Sequence, residues 1–210
     1  MKFNDLLQKV SALPCFSTRF LAAGENLSQV RLQLSRWVND GRLIKIHKSL
    51  YTVAEPYRKI KHELFSIANS MKSPSYVSIQ SALSRHGLIP EFVPVTTSIT
   101  TSRPQVITTP LGRFEYRHVK KNLFWGYQLV NLSDRQQSFI ATPEKALLDL
   151  IYLTSGGDRE EFLKELRLQN LEKLNMNILR QYSKKFNCPK IKRAVDNIRT
   201  IIEEGEGIEL

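Results

Sequence analysis

The sequence predicts an α+β fold in two parts, and three observations lead there. Apolar residues recur at helical spacing over the first forty positions and then give way to short β-branched runs around residues 43–53. Alternating, β-branched segments fill residues 95–141, broken by Pro104, Pro110, Gly112 and Gly126. From Thr142 the spacing returns to helix and stays helical to about residue 204. Ala54 to Lys61, with Pro56 and four charged residues, reads as a linker, which places the parts at 1–58 and 59–210.

In the first part, Phe3, Leu6, Leu7, Val10 and Leu13 form one helix face that Pro14 ends. Ser17 is placed to cap a short helix, Thr18 to Ala23, with Phe20 and Leu21 turned inward and Gly24 as its φ > 0 exit. A third helix has Ser28 as its N-cap candidate. Its apolar stripe of Val30, Leu34, Trp37 and Val38 ends at Asp40-Gly41. The opposite face carries Ser28, Gln29, Ser35, Arg36 and Asn39, with Arg31 on the flank and Leu32 as the apolar exception. Leu43–Ile46 and Leu50–Val53 then read as a hairpin around His47-Lys48-Ser49, edged by Arg42, Lys45 and Lys48. Three helices and a basic hairpin are the order of a winged helix-turn-helix, in which the third helix enters the major groove and the wing lies along phosphates. The expected DNA contacts are therefore Ser28, Gln29, Arg31, Ser35, Arg36, Asn39, Arg42, Lys45 and Lys48.

Charge agrees with a polyanionic partner. The 210 residues carry 31 Lys+Arg against 20 Asp+Glu, a net charge of +11 and a pI near 9.7. The excess is uneven: residues 1–60 hold 10 basic and 4 acidic residues, residues 61–141 hold 9 and 4, and residues 142–210 hold 12 and 12. With 41% apolar and 24% charged residues the composition is globular, not disordered. No apolar run approaches the ~18 residues of a membrane span, and the amino end lacks the pattern of a signal peptide, so a cytoplasmic protein is expected. Cys15 and Cys188 are too isolated for a disulfide framework or a zinc site.

In the second part, Ile60, Leu64, Ile67 and Ala68 form a helical stripe. Within Pro74–Glu91, Ser78 is placed to cap a short helix that Gly87-Leu88 closes in a Schellman stop, with His86 in a structural role, satisfied by local carbonyls or favourable for the helix dipole. The five runs from Val95 to Ala141 predict a meandering, mostly antiparallel sheet. On or beside its third run lie Arg113, Arg117, Lys120 and Lys121. They extend the DNA footprint, face an acidic protein partner, or simply form a solvated sheet face. Thr142-Pro143-Glu144 starts a helix that is apolar nearly all round and therefore buried. Helices over Arg159–Leu168, Met176–Phe186 and Ile191–Glu203 follow. Their basic cluster, Arg180, Lys184, Lys185, Lys190, Lys192 and Arg193, is offset in the sequence by Glu160, Glu161, Glu165, Glu203, Glu204 and Glu206, so intramolecular pairing or a protein contact is expected of it, not DNA.

Signatures of catalysis are missing. There is no GxxxxGK[ST] loop, GxSxG elbow or HExxH, and His47, His62, His86 and His118 are isolated from one another. No enzyme, cofactor or metal is expected.

Three stretches, QVRLQLSRWVNDGRLIKIHKSLYTV (Gln29 to Val53), PSYVSIQSALSRHGLIPE (Pro74 to Glu91), and GRFEYRHVKKNLFWGY through IATPEKALLDLIYL (Gly112 to Leu153), resemble the AbiEi-type antitoxin and transcriptional regulator family of bacterial abortive-infection, type IV toxin-antitoxin systems. The resemblance implies a winged helix that binds inverted repeats in its own promoter. It also implies a carboxy-terminal domain that counters a nucleotidyltransferase toxin. One departure is Lys48-Ser49-Leu50-Tyr51, where the family's wing has Lys-Gly-(Leu/Val)-Tyr. The alternatives to a repressor that is also an antitoxin are a protein-binding antitoxin or adaptor without DNA affinity, and a stand-alone regulator without a toxin.

Overall fold

A computed structural model describes residues 1–22 and 26–206, without the side chains of 204–206, so the expected exit at Gly24 lies outside the described residues. The chain is a mixed α+β protein with two sheets. Helix α1 (Phe3–Val10), strand β1 (Phe16–Ser17), helix α2 (Thr18–Leu21), helix α3 (Leu27–Asn39) and strands β2 (Leu43–His47) and β3 (Leu50–Val53) come first. The order β1-β3-β2 makes a three-stranded antiparallel sheet. Leu6, Val10, Leu21, Val30, Leu34, Trp37, Leu43 and Tyr51 share one apolar core beneath it. Ser17 caps α2 as expected, accepting from the Phe20 N–H at 3.2 Å. With only one turn, however, α2 buries Thr18 and Leu21 and leaves Phe20 52% exposed, contrary to its expected inward position.

The second core is larger. Helix α4 (Leu64–Met71), strand β4 (Ser75–Val77), helix α5 (Ile79–His86) and strands β5 (Val95–Thr100), β6 (Gln105–Thr109), β7 (Gly112–His118), β8 (Tyr127–Asn131) and β9 (Gln137–Ala141) lead into helices α6 (Pro143–Leu153), α7 (Glu160–Glu165), α8 (Met176–Phe186) and α9 (Pro189–Glu206). The strands run β6-β7-β5-β4-β9-β8. This is no meander: β4–β5, β6–β7 and β8–β9 pair antiparallel, but β5–β7 and β4–β9 pair parallel. Two placements break the run of hairpins: β4, from earlier in the chain, lies between β5 and β9, and β7 lies between β5 and β6.

Helix α4 covers one face, where Tyr116 Oη donates to the Ala68 carbonyl at 2.7 Å and Ser138 Oγ to Asn69 Oδ1 at 2.8 Å. Helices α5 and α6 cover the other, where Thr97 Oγ1 donates to the Ser78 carbonyl at 2.7 Å. Gly87 takes φ +72° and Leu88 N–H reaches the Leu83 carbonyl, the Schellman closure expected there. His86 is satisfied by a distant carbonyl, that of Ala141 at 2.9 Å, instead of a local one.

Helix α6 is buried, and its buried face is not all apolar. Lys145 and Asp149, one turn apart, are both fully buried and form an ion pair. Ser78 does not cap α5 with its side chain; its hydroxyl donates to Asp149 Oδ2 at 2.8 Å, beside the Tyr76 hydroxyl at 2.9 Å. The Lys145 ammonium lies 4.9 Å from the Trp125 ring centre and 4.8 Å from that of Phe186. Burial pushes the lysine down and the aspartic acid up from their ordinary values, and each offsets the other's shift. Gly126, at φ +75°, is required here, since a Cβ would stand 2.9 Å from Lys145 Cγ.

The segment read as a linker is held at its carboxy-terminal end. Lys61 N–H donates to Asp134 at 3.0 Å, and Gln136 takes the Glu63 N–H and returns a bond to the Lys61 carbonyl. The two cores also meet. Ile46 is unpaired where the β2–β3 register shifts between Lys45 and His47, and it is buried in the second core. Between the cores, Thr52 Oγ1 donates to the Pro14 carbonyl at 2.8 Å, so it must accept from His62 Nε2 at 2.7 Å; His62 Nδ1 then accepts from Arg58 at 3.1 Å. This geometry suits a neutral ring, and burial, with Arg58 second, lowers the His62 pKa. A depressed histidine means the unfolded chain binds the extra proton, so stability is retained above the unfolded value of about 6.5 and falls as pH drops below it. The thermal midpoint should therefore fall more steeply between pH 7.5 and 5.5 in the wild type than in His62→Gln; equal slopes would contradict this account.

Among the described residues no helix is long and apolar enough to cross a membrane.

Candidate nucleic-acid interface

Helix α3 starts two residues earlier than its sequence suggests. Asn26, not Ser28, is the N-cap: Asn26 Oδ1 accepts the Ser28 N–H at 2.9 Å and the Gln29 N–H at 3.3 Å. The Ser28 side chain is thereby left on the exposed face. Val30, Leu34 and Trp37 are buried as expected, while Ser28, Gln29, Arg31, Ser35, Arg36 and Asn39 are all exposed. At ~100° per residue, Arg31, Ser35, Ser28 and Asn39 occupy the side of that face nearer the hairpin, and Arg36 and Gln29 the far side. Leu32 lies between them and is 56% exposed, which puts an apolar group in the middle of the polar face.

The hairpin completes a cleft of about 460 Å³ with α3, lined by Arg31 and Ser35 from the helix and by Lys45, Lys48, Ser49 and Tyr51 from the hairpin, with Thr18 and Val38 at its edge. Four of the nine expected contacts thus converge on one concave surface. No acidic side chain lines it, and none of its three cations is in an ion pair among the described residues. Arg42 is set apart. Its guanidinium lies 5.2 Å from the Phe3 ring centre and it does not line the cleft.

The tip of the hairpin is fixed from below. Lys48, not Ser49, takes the positive φ of the turn, at 44°, so serine at the family's glycine position is not strained. The Ser49 carbonyl accepts from the Thr18 N–H at 2.9 Å and from Thr18 Oγ1 at 3.3 Å, which ties the turn to the start of α2. Sequence reasoning missed Thr18. Its one signal was a threonine directly after a capping serine, and only the pairing of β1 with β3 brings it under the hairpin.

The second set of expected contacts does not form one patch. Arg113 is exposed at the start of β7, and Lys120 and Lys121 are exposed beyond its end. Arg117 shares a face with Glu115, pairs with it at 3.4 Å and donates to the Leu153 carbonyl at 3.3 Å. Among the described residues no three His, Cys, Asp or Glu side chains gather as a metal-ligand set.

No protein-family model and no curated protein matches this chain.

Proposed function

We propose that this chain is a sequence-specific DNA-binding repressor whose residues 1–58 act as a winged helix-turn-helix. We propose further that the same chain is the antitoxin of a type IV pair, countering a nucleotidyltransferase toxin in the cytoplasm without catalysis of its own. The observation that carries the DNA reading is the cleft between α3 and the hairpin, where Arg31, Lys45 and Lys48 meet Ser35 with no carboxylate to neutralise them. Phosphates would lie along Lys45 and Lys48, and base edges would meet α3 through Gln29, Arg36 and Asn39. Leu32 suits contact with a thymine methyl. The antitoxin half is supported by the resemblance of Pro74–Glu91 and Gly112–Leu153 to the AbiEi-type family, which implies that role for the second core.

Fluorescence anisotropy of the full chain on duplex DNA from upstream of its own coding sequence tests the first half. With Arg42 stacked on Phe3, four cations, Arg31, Arg36, Lys45 and Lys48, remain for phosphates or bases. At about 0.9 log unit per phosphate, log affinity should fall against log salt with a slope of about −3 to −4 per bound chain. Binding that ignores salt, or no binding at low salt, would overturn the reading. Growth rescue on co-expression with a neighbouring toxic nucleotidyltransferase tests the second half, and a failure to rescue would leave only the regulator.

A further inference from the structure

The C-terminal third, residues 142–210, is electrically neutral, yet its charges are not evenly matched in space. Five of its acids have partners elsewhere: Glu160 pairs with Lys164, Glu203 with Arg199, Asp158 with Arg193 and Asp149 with Lys145, while Glu144 accepts the Asn175 N–H at 2.9 Å. None of the glutamates expected to offset the basic cluster pairs with it among the described residues. Lys185 lies 4.2 Å over the Trp125 ring centre, and Lys190 donates to the carbonyls of Tyr152 and Thr154.

Three cations remain, Arg180, Lys184 and Lys192, and among the described residues none has an ion-pair partner. All three line a single cleft of about 680 Å³ between α8 and α9. Arg180 and Lys184 are one turn apart on α8, which sets their Cβ atoms about 5–6 Å apart. Lys192 approaches from the first turn of α9, where the unpaired N–H groups of an 18-residue helix add positive potential. The remaining walls are Val195, Pro189 and Cys188, with the Ser183 hydroxyl, the Asn187 amide and the Asp196 carboxylate as polar exceptions.

We propose that this cleft binds a nucleoside polyphosphate. Three cations around one hollow, and not along a stripe, suit a ligand whose negative charge is concentrated at one end. The apolar wall suits the base, and Ser183 and Asp196 suit sugar hydroxyls or an exocyclic amine. Glu203 cannot neutralise the cluster, because eleven residues of helix separate it from Lys192, about 17 Å.

Isothermal titration of the full chain with ATP, GTP, inorganic pyrophosphate, adenosine and a polyglutamate peptide tests this. ATP or GTP should bind, pyrophosphate more weakly, and adenosine and the peptide not at all. The Arg180→Ala/Lys184→Ala pair and Lys192→Ala should each weaken nucleotide binding about tenfold or more, by loss of charge-assisted hydrogen bonds. The exposed side chains should leave the thermal midpoint unchanged, and Lys59→Ala should leave binding unchanged. No nucleotide binding at millimolar concentration would overturn the proposal, as would equal binding of the peptide or insensitivity to the cleft substitutions. Pyrophosphate binding as tightly as ATP would overturn the nucleoside assignment. Loss of duplex DNA affinity in the same variants would assign these cations to DNA instead.

Discussion

Lys145→Ala is expected to lower the stability of the protein by about 3–5 kcal/mol, a large share of a typical domain's 5–15 kcal/mol. The substitution removes the one cation that faces Asp149, a carboxylate with no exposure to solvent, and leaves it only the Tyr76 and Ser78 hydroxyls. It also opens a hole among the rings of Trp125, Phe186 and Tyr76. The loss comes mainly from a stranded charge, so removing both partners should cost far less. Lys145→Met combined with Asp149→Asn is expected to recover most of the stability, because a neutral pair of similar volume avoids the desolvation of two ions while the amide oxygen still accepts from the Tyr76 and Ser78 hydroxyls. Urea unfolding of the three chains measures this. A single substitution that costs under about 1 kcal/mol, or a double one that costs as much as the single, would contradict it.

The combined substitution Arg31→Ala, Lys45→Ala and Lys48→Ala is expected to weaken duplex DNA binding by about 10²- to 10³-fold at 0.1 M salt and to flatten the salt slope by close to 3. These three cations line the cleft without ion-pair partners among the described residues, so no internal pair is lost with them. All three are exposed, and folding should be unaffected. Affinity that drops without a change in slope would mean that the cleft does not face phosphates.

Much of this was legible in the residues, for local reasons. Helix α3 and the β2–β3 hairpin follow from apolar spacing, and the five strands between Val95 and Ala141 from β-branched runs bounded by proline and glycine. What stayed hidden depends on residues far apart in the chain. Strand β4 is three residues long, too short to show a period, and its central position, with β7 between β5 and β6, turns the expected meander into a mixed sheet. The helix from Pro143 reads as apolar nearly all round, which passes over Lys145 and Asp149, although their i,i+4 spacing is the available sign of a buried pair. Ser28 reads as the cap of α3, but Asn26, two residues earlier and equally suited by its side chain, takes that place in the backbone geometry. Arg42 looked like part of the hairpin's basic edge; Phe3, from the start of the chain, takes it out of the cleft.

The central claim is that α3 reads base sequence and the hairpin positions it, and selection of the full chain against a library of random duplexes tests it most directly. The wild type should enrich one motif. Gln29→Ala and Arg36→Ala should each relax discrimination at a single base position by about 1–3 kcal/mol, whereas Lys48→Ala should keep the motif and weaken all sequences alike. No enriched motif, or the same sequence-independent loss in all three variants, would contradict the account.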